Sequence, residues 1–245
     1  MKRTLAILIT AAAAALTATA QEEIFDNPDN ASRFGVRVNY ELACPTNISY
    51  IPLGGAKVSE SIFGNGSGFS VEGIYNMPVW KNLYFEPGVG IYYNTFSIDN
   101  DLIKSGMFEE LTGGSARQWG LRIPLNIGYR FDLLDWLSLS FFTGPEINIS
   151  FSGRTHFSYD KYSISGPLFG KDGYLNRADI KWRFGVGAIF NQRYTLGISG
   201  AVGMCDSARY FPTLLDKSHD IDYIVLAADV KMHSNLFTIS LGYLF

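Results

Sequence analysis

Apolar and polar residues alternate with a period of two along most of this chain, as in β-strands whose two faces meet different surroundings. In the closing segment, one face is apolar and the other is mostly small or polar; the apolar face carries Phe237, Ile239, Leu241, Tyr243 and Phe245. The same alternation predicts eight strands, at residues 33–42, 68–77, 83–97, 118–131, 137–152, 180–190, 194–203 and 235–245. No long amphipathic helix is indicated, although the segment 221–230 is ambiguous.

The connections between these strands alternate between short and long. The short ones read "PVWKN", "DLLDW" and "NQR", and the long ones span residues 43–67, 98–117, 153–179 and 204–234. An even number of strands with tight turns at one end and long loops at the other is typical of an outer-membrane barrel, whose short turns face the periplasm. If 221–230 also pairs, together with one more strand in another long loop, ten strands result.

The two faces of each strand indicate which side meets lipid. In the strand at 118–131, Leu121 and Ile123 alternate with Arg122 and Pro124, so the polar face carries full charges. Arginine or lysine facing lipid would cost about 2–4 kcal/mol at the bilayer midplane, and the apolar faces carry neither. Glycine is frequent on the polar faces and suits a crowded, curved interior. We therefore predict an all-β fold, a transmembrane antiparallel up-and-down β-barrel with its apolar faces turned outward.

Aromatic residues near the predicted strand ends lie where the interfacial girdles of such a barrel are expected. They are Trp80, Trp119, Trp136, Trp182, Tyr129, Tyr194 and Tyr243.

The amino terminus predicts export. Lys2 and Arg3 precede an apolar run at 5–16, and small residues end at Ala20, which is the layout of a secretory signal. We predict a signal peptide at 1–20, a short periplasmic tail at 21–32 and the barrel domain at 33–245, which places the protein in the cell outer membrane. The formal net charge of -3 and the lack of a basic block give no indication of nucleic-acid binding.

The inward faces are predicted to hold a neutralised charge network. Its members are Arg37, Arg122, Arg130, Arg183, Glu41, Glu72, Glu86 and Glu146. An eight-stranded barrel is just wide enough for side chains to fill it, and buried charges must be paired and hydrogen-bonded. We expect this network to close the lumen. The alternatives are a proton or ion path, or a small passive pore.

One segment could carry chemistry. In "RTHFSYDKYS", Arg154, His156, Ser158 and Asp160 share one face if the strand at 137–152 continues above the membrane. A histidine base with a serine nucleophile could hydrolyse or transfer acyl groups of outer-membrane lipids. A solvated strand extension has the same alternation, and the sequence shows neither a cofactor motif nor ligand spacing for a metal. We therefore expect a protein that is not an enzyme and binds no cofactor.

Two cysteines follow predicted strands on the side of the long loops. Cys44 follows the first strand and Cys205 the seventh. In an exported protein these residues could form a disulfide that joins the first and last outer loops. The alternative is two separate thiols, because one strand lies between them in a closed barrel.

The signal peptide, the tail "QEEIFDNPDNASRFGVRVNY", the eight strands and the closing "LFTISLGYLF" together resemble the outer-membrane β-barrel family that includes the PorT-like proteins. The resemblance implies an integral outer-membrane barrel without catalysis, and some members serve a protein secretion apparatus. It also implies that the barrel assembly machinery reads the terminal strand with Phe245. The expected partners are outer-membrane lipids, this machinery, and envelope or secretion proteins that contact the loops. We expect a scaffold or interaction module.

Overall fold

The computed structural model describes residues 32–44, 46–51, 58–98, 111–171, 173, 175–206 and 228–245. The predicted signal peptide, 1–20, lies outside the described residues. The same holds for the predicted tail, 21–32, except its last residue, and for the ambiguous segment 221–230 up to residue 227.

All regular structure in the described part of the chain is β-strand. The strands are β1 (Arg33–Cys44), β2 (Thr46–Ile51), β3 (Val58–Trp80), β4 (Leu83–Ile98), β5 (Leu111–Leu134), β6 (Leu137–Tyr159), β7 (Ser163–Pro167), β8 (Ala178–Phe190), β9 (Tyr194–Gly203), β10 (Ala228–Met232) and β11 (Asn235–Leu244). Among these residues no helix is long and apolar enough to span a bilayer.

Eight of the strands close into a ring. The order around it is β1-β11-β9-β8-β6-β5-β4-β3, and β3 returns to pair with β1. The ring also contains the pair of β1 and β11, which are antiparallel from Gly35 opposite Leu244 to Cys44 opposite Asn235. Closure gives each ring strand two neighbours, so its backbone hydrogen bonds are satisfied within the protein. The predicted eight-stranded antiparallel barrel is confirmed.

Three short strands extend the wall beyond the ring at the end with the long loops. β2 follows β1 and pairs with the first part of β3, and β10 pairs with β2. Among the described strands, β7 pairs with the outer end of β6 alone. The ten-strand alternative is therefore wrong. β10, which overlaps the ambiguous segment, pairs with β2 beyond the ring and does not add a strand to it.

Several ring strands are longer than the sequence predicts. β3 has 23 residues, β5 has 24 and β6 has 23, whereas about 9–11 residues suffice to cross the bilayer. The additional residues lie mainly toward the long loops, where water surrounds the wall and apolar alternation is no longer required. The three short connections form the tight turns that the sequence predicts, and Lys81, Asn191 and Gln192 have positive φ angles of 47°, 47° and 56°.

The faces are arranged as predicted, with apolar side chains outside. Phe34, Val36, Val38 and Tyr40 of β1 are exposed, whereas Arg37, Asn39 and Glu41 are buried. The exposed apolar side chains form a belt around the ring, with aromatic residues such as Trp80, Trp119, Trp136 and Tyr194. A closed barrel with an apolar outer belt and a charged interior is the surface distribution of an outer-membrane protein. The protein is an integral outer-membrane β-barrel.

Glycines permit close approach of neighbouring strands on the inner face. A Cβ atom at Gly144 would lie 2.0 Å from the carbonyl oxygen of Leu125, and one at Gly120 would lie 2.2 Å from that of Ile149. Both contacts involve backbone atoms, which cannot move without disturbing the sheet. The inner wall therefore requires glycine at these positions, as the glycine-rich polar faces indicate.

Candidate functional site

The centre of the barrel holds a continuous chain of charged side chains. Three arginines alternate with four glutamates, in the order Glu86, Arg37, Glu72, Arg183, Glu146, Arg122 and Glu41. We call these seven residues the charged core. They come from β1, β3, β4, β5, β6 and β8, because each strand turns its polar face inward. Seven of the eight residues that the sequence predicts for the lumen are thus brought together.

Arg122 is the most highly connected member of the charged core. Its two terminal nitrogens bind both carboxylate oxygens of Glu41, and the Nη2–Oε2 distance is 2.9 Å. Its Nε donates to Oδ1 of Asn148 at 3.0 Å and lies 3.2 Å from Oε1 of Glu146. The guanidinium also lies over the ring of Tyr92, 5.2 Å from the centroid. A bidentate arginine–carboxylate pair is among the strongest polar contacts in proteins.

Arg183 and Arg37 link the remaining carboxylates. Nη1 of Arg183 lies 3.7 Å from Oε1 of Glu72 and 3.6 Å from Oε2 of Glu146. Nη2 of Arg37 donates to Oε1 of Glu86 at 2.6 Å, and its Nη1 lies 3.9 Å from Oε2 of Glu72. Oε1 of Glu72 also lies 3.7 Å from Nη1 of Arg122, so Glu72 contacts three arginines, and its carboxylate is fully buried.

Arg130 departs from the predicted network. It lies toward the periplasmic end, where its Nη2 donates to Oδ1 of Asn76 at 3.2 Å and its guanidinium lies over the ring of Tyr84. In the described part of the chain it joins no ion pair. The reason is its position near the short turns, where it lines a vestibule of about 630 Å³ that opens toward the periplasm. The charged core is therefore three arginines and four glutamates rather than four of each.

Neutral polar side chains and a second ion pair complete the interior, and the predicted network omits them. Asn39 donates to Ser70, and Ser70 donates to Glu41 at 2.6 Å. Further out, Nζ of Lys181 lies 3.7 Å from Oδ2 of Asp179. Lys181 can be found from the sequence because it is two residues from Arg183, which puts both side chains on the same face of the strand. The inward serines and asparagines carry no charge, so a search for charged residues does not find them.

A segment between β7 and β8 closes the outer end of the lumen. Leu168 is 0% exposed and Phe169 is buried beside it. The backbone nitrogen of Leu168 donates to the oxygen of Gly153 at 3.0 Å, and that of Leu175 donates to the oxygen of Leu168 at 3.0 Å. Arg177 lies over the ring of Phe169 at 5.8 Å. We call residues 168–171, 173 and 175–177 the plug segment; the sequence predicts only a loop here.

Two small cavities lie above and below the charged core, among the described residues. A cavity of about 40 Å³ lies between the plug segment and Arg122, and one of about 30 Å³ lies beside Arg37 and Glu86. Either volume accommodates about one water molecule. The charged core lies between them, so the two cavities do not form a continuous channel.

The proposed catalytic residues lie on the outer surface of the wall. Arg154, His156 and Ser158 face outward on β6, and Asp160 is exposed just beyond its end. Nδ1 of His156 is 2.9 Å from Oγ of Ser165 on β7, so the histidine contacts this serine rather than Ser158. No carboxylate of the described residues contacts His156, and no group of three metal-binding side chains occurs among them.

At Cys205 the structure agrees with the alternative of two separate thiols rather than with the possible disulfide. Cys205 has a free, half-buried thiol, and Cys44 ends β1, with a side chain outside the described residues. β11 separates β1 from β9, the strand that precedes Cys205. Two strand spacings amount to roughly 10 Å, whereas a disulfide needs Cα atoms within about 7 Å.

The closing strand β11 turns its apolar residues outward. Phe237, Ile239, Leu241 and Phe245 are exposed, and Tyr243 is half-buried between the rings of Tyr194 and Phe245. The predicted assembly signal thus lies on the outer surface.

No protein-family model and no curated protein matches this chain. The solved structures to which it is similar at low sequence identity include the following three. The attachment invasion locus protein Ail of Yersinia pestis is 14% identical, with 87% of this chain and 99% of that chain covered and a TM-score of 0.35. The Neisserial surface protein NspA is 10% identical, with 88% and 99% covered and a TM-score of 0.39. The outer membrane protein OprG of Pseudomonas aeruginosa is 12% identical, with 88% and 97% covered and a TM-score of 0.43. The fold of this chain is established by its own strand pairing and exposed apolar belt.

Proposed function

We propose that this protein is a closed, non-enzymatic barrel that acts as a scaffold or interaction module in the outer membrane, and that it supports protein secretion or envelope assembly. The observation that carries the proposal is the charged core, which joins six strands across the lumen through buried ion pairs. A barrel filled in this way has its outer wall and its extensions beyond the membrane available for function. The plug segment closes the outer end of the lumen, which also supports a closed barrel.

The closed lumen predicts the absence of ion conduction. We expect the purified protein in planar lipid bilayers to give no stable open-channel steps, because the two internal cavities each accommodate about one water molecule and do not join. The matched control is a variant in which Leu168 and Phe169, two buried residues of the plug segment, are both replaced by glycine. It should also remain closed, because the charged core lies below the plug. Reproducible conductance steps from the wild-type protein would instead support the passive-pore alternative.

The interaction role is supported by the long extensions of β3, β5 and β6, which present wall surface beyond the bilayer. The resemblance to PorT-like proteins supports a secretion system as the partner. Photo-crosslinking from Tyr162, which is exposed beside β7, should capture envelope or secretion proteins in native membranes. A crosslinker at the lipid-facing Val89 is the control, and it should capture lipid. Equal protein capture from both positions would contradict a partner site at the outer rim.

A lipid-modifying hydrolase or acyltransferase is the second candidate, and the His156–Ser165 contact at 2.9 Å is the observation that favours it. The missing carboxylate contact weighs against it, because a histidine base is normally oriented by a third group. We expect lipid A and phospholipids from cells with the wild-type protein and the His156→Ala variant to be identical by mass spectrometry. Acyl-chain loss that depends on His156 would overturn the non-enzymatic assignment.

A further inference from the structure

Two arginines lie directly opposite each other on the outer surface of the wall. Ala116 of β5 and Thr155 of β6 form a register pair, and both are buried inside the barrel, at 2% and 1% exposure. The next pair is Arg117 and Arg154. Because successive side chains point to opposite faces, these two arginines point outward, and both are exposed.

This arrangement is unfavourable without a negatively charged partner. Like charges directly opposite each other on neighbouring strands destabilise a sheet. Neither guanidinium forms an ion pair with another residue in the described part of the chain. The arginines of the charged core, by contrast, are each placed against carboxylates.

The arginine pair lies at a defined depth relative to the membrane. Trp119 is two residues closer to the bilayer on β5, about 7 Å away along the strand. Its ring packs edge-on against Phe151 of β6, with centroids 5.2 Å apart, and both rings are exposed. Such rings mark the level of the membrane interface. Arg117 and Arg154 lie just outside them, at the level of the lipid headgroups of the outer leaflet.

A cleft with further hydrogen-bond donors adjoins the pair. It has a volume of about 380 Å³ and is lined by Arg154, Ser152, Ser165 and Arg177, together with Phe151. Nη1 of Arg177 donates to the backbone oxygen of Ser150 at 3.2 Å, which holds this third guanidinium at the edge of the cleft. The cleft combines cationic and hydroxyl donors with an aromatic side.

We propose that Arg117 and Arg154 bind the phosphate group of an outer-leaflet lipid, whose headgroup enters the cleft at Ser152 and Ser165 while its apolar part follows Trp119 and Phe151. The planar guanidinium matches phosphate oxygens in bidentate geometry. Two such groups on adjacent strands, directly above an aromatic pair, suit a phosphate that is held at the membrane surface rather than one free in solution. The inference depends on the orientation of the barrel in the membrane and is independent of whether the lumen is closed.

The test is a titration of the folded protein in dodecyl maltoside, an uncharged detergent without phosphate, with short-chain phosphatidic acid, followed by native mass spectrometry. Arg117→Gln and Arg154→Gln should each weaken lipid binding about tenfold, as expected when a charge-assisted contact is lost. Lys171→Gln removes an exposed cation of the plug segment and should leave binding unchanged. Equal binding by the wild type and the double arginine variant would overturn the proposal. Competition by inorganic phosphate as strong as that by the lipid would also overturn it, because the site would then bind soluble anions.

A second measurement separates lipid binding from a purely structural role. In dodecyl maltoside, Arg117→Gln should raise the unfolding midpoint because it removes the repulsion from Arg154. In vesicles of phosphatidylcholine with phosphatidic acid, the same substitution should lower it because a lipid contact is lost. A change in the same direction in both environments would contradict the proposed site.

Discussion

Replacement of Arg122 by methionine is expected to lower the free energy of unfolding by about 3–5 kcal/mol, the range for breaking a buried ion pair by removing one partner. The guanidinium binds both oxygens of Glu41 and also contacts Glu146 and Asn148. Methionine fills a similar volume, so the loss arises mainly from Glu41, which stays buried without a cation, and from Glu146, which keeps only Arg183. Urea titration of the protein in micelles, followed by tryptophan fluorescence, measures the change.

A second substitution distinguishes this electrostatic effect from a loss of packing. In the Arg122→Met background, Glu41→Gln removes the carboxylate charge that is left without a cation and should recover part of the lost stability. Arg193→Met is the matched control, because Arg193 is exposed in a periplasmic turn, and it should change stability by no more than about 0.5 kcal/mol. If the Glu41→Gln substitution lowers the stability of the Arg122→Met variant further, the ion pair is not the source of the effect.

Substitution of Val38 by arginine should destabilise the inserted barrel by about 2–4 kcal/mol, the cost of an arginine at the bilayer midplane on the lipid face. Val38 is 52% exposed, and it lies midway along β1 between Val71 of β3 and Leu241 of β11. Equilibrium unfolding from phospholipid vesicles measures the change.

Val79→Arg is the matched control, with the same residue exchange at the end of β3 beside the turn at Lys81. Because this position lies near the membrane interface, its cost should fall to about 0–1 kcal/mol. Equal costs at Val38 and Val79 would contradict the placement of the exposed belt in the bilayer.

The sequence predicts the ring and most of its interior because one physical constraint acts at every position. Each residue of a ring strand faces either hydrocarbon or the lumen, so Val38 and Arg37 can be assigned to opposite sides from their chemistry alone. The same reasoning places the charged core inside. It also places Lys181 there, because Lys181 is two residues from Arg183 and lies on the same face of its strand.

Features outside the bilayer are not predicted, because that constraint no longer applies there. The outer ends of β3, β5 and β6 have water around the wall, so their alternation is weak and their lengths are underestimated. The plug segment depends on contacts such as the hydrogen bond from the Leu168 nitrogen to the Gly153 oxygen, and no periodic pattern in the sequence indicates this contact. The Arg117–Arg154 pair depends on the register between two strands, and this register becomes visible only when the strands are paired.

The position of charges on β1 has a consequence for how the barrel assembles. The first and last strands of the ring meet where β1 pairs with β11, with Arg37 opposite Gly242 and Glu41 opposite Thr238. A slip of one residue in this pairing would turn every β1 side chain to the other face. Arg37 and Glu41 would then enter hydrocarbon, at a cost of several kcal/mol. Incorrectly closed barrels would therefore reopen readily, and the same charges that stabilise the finished barrel would also correct errors during its insertion.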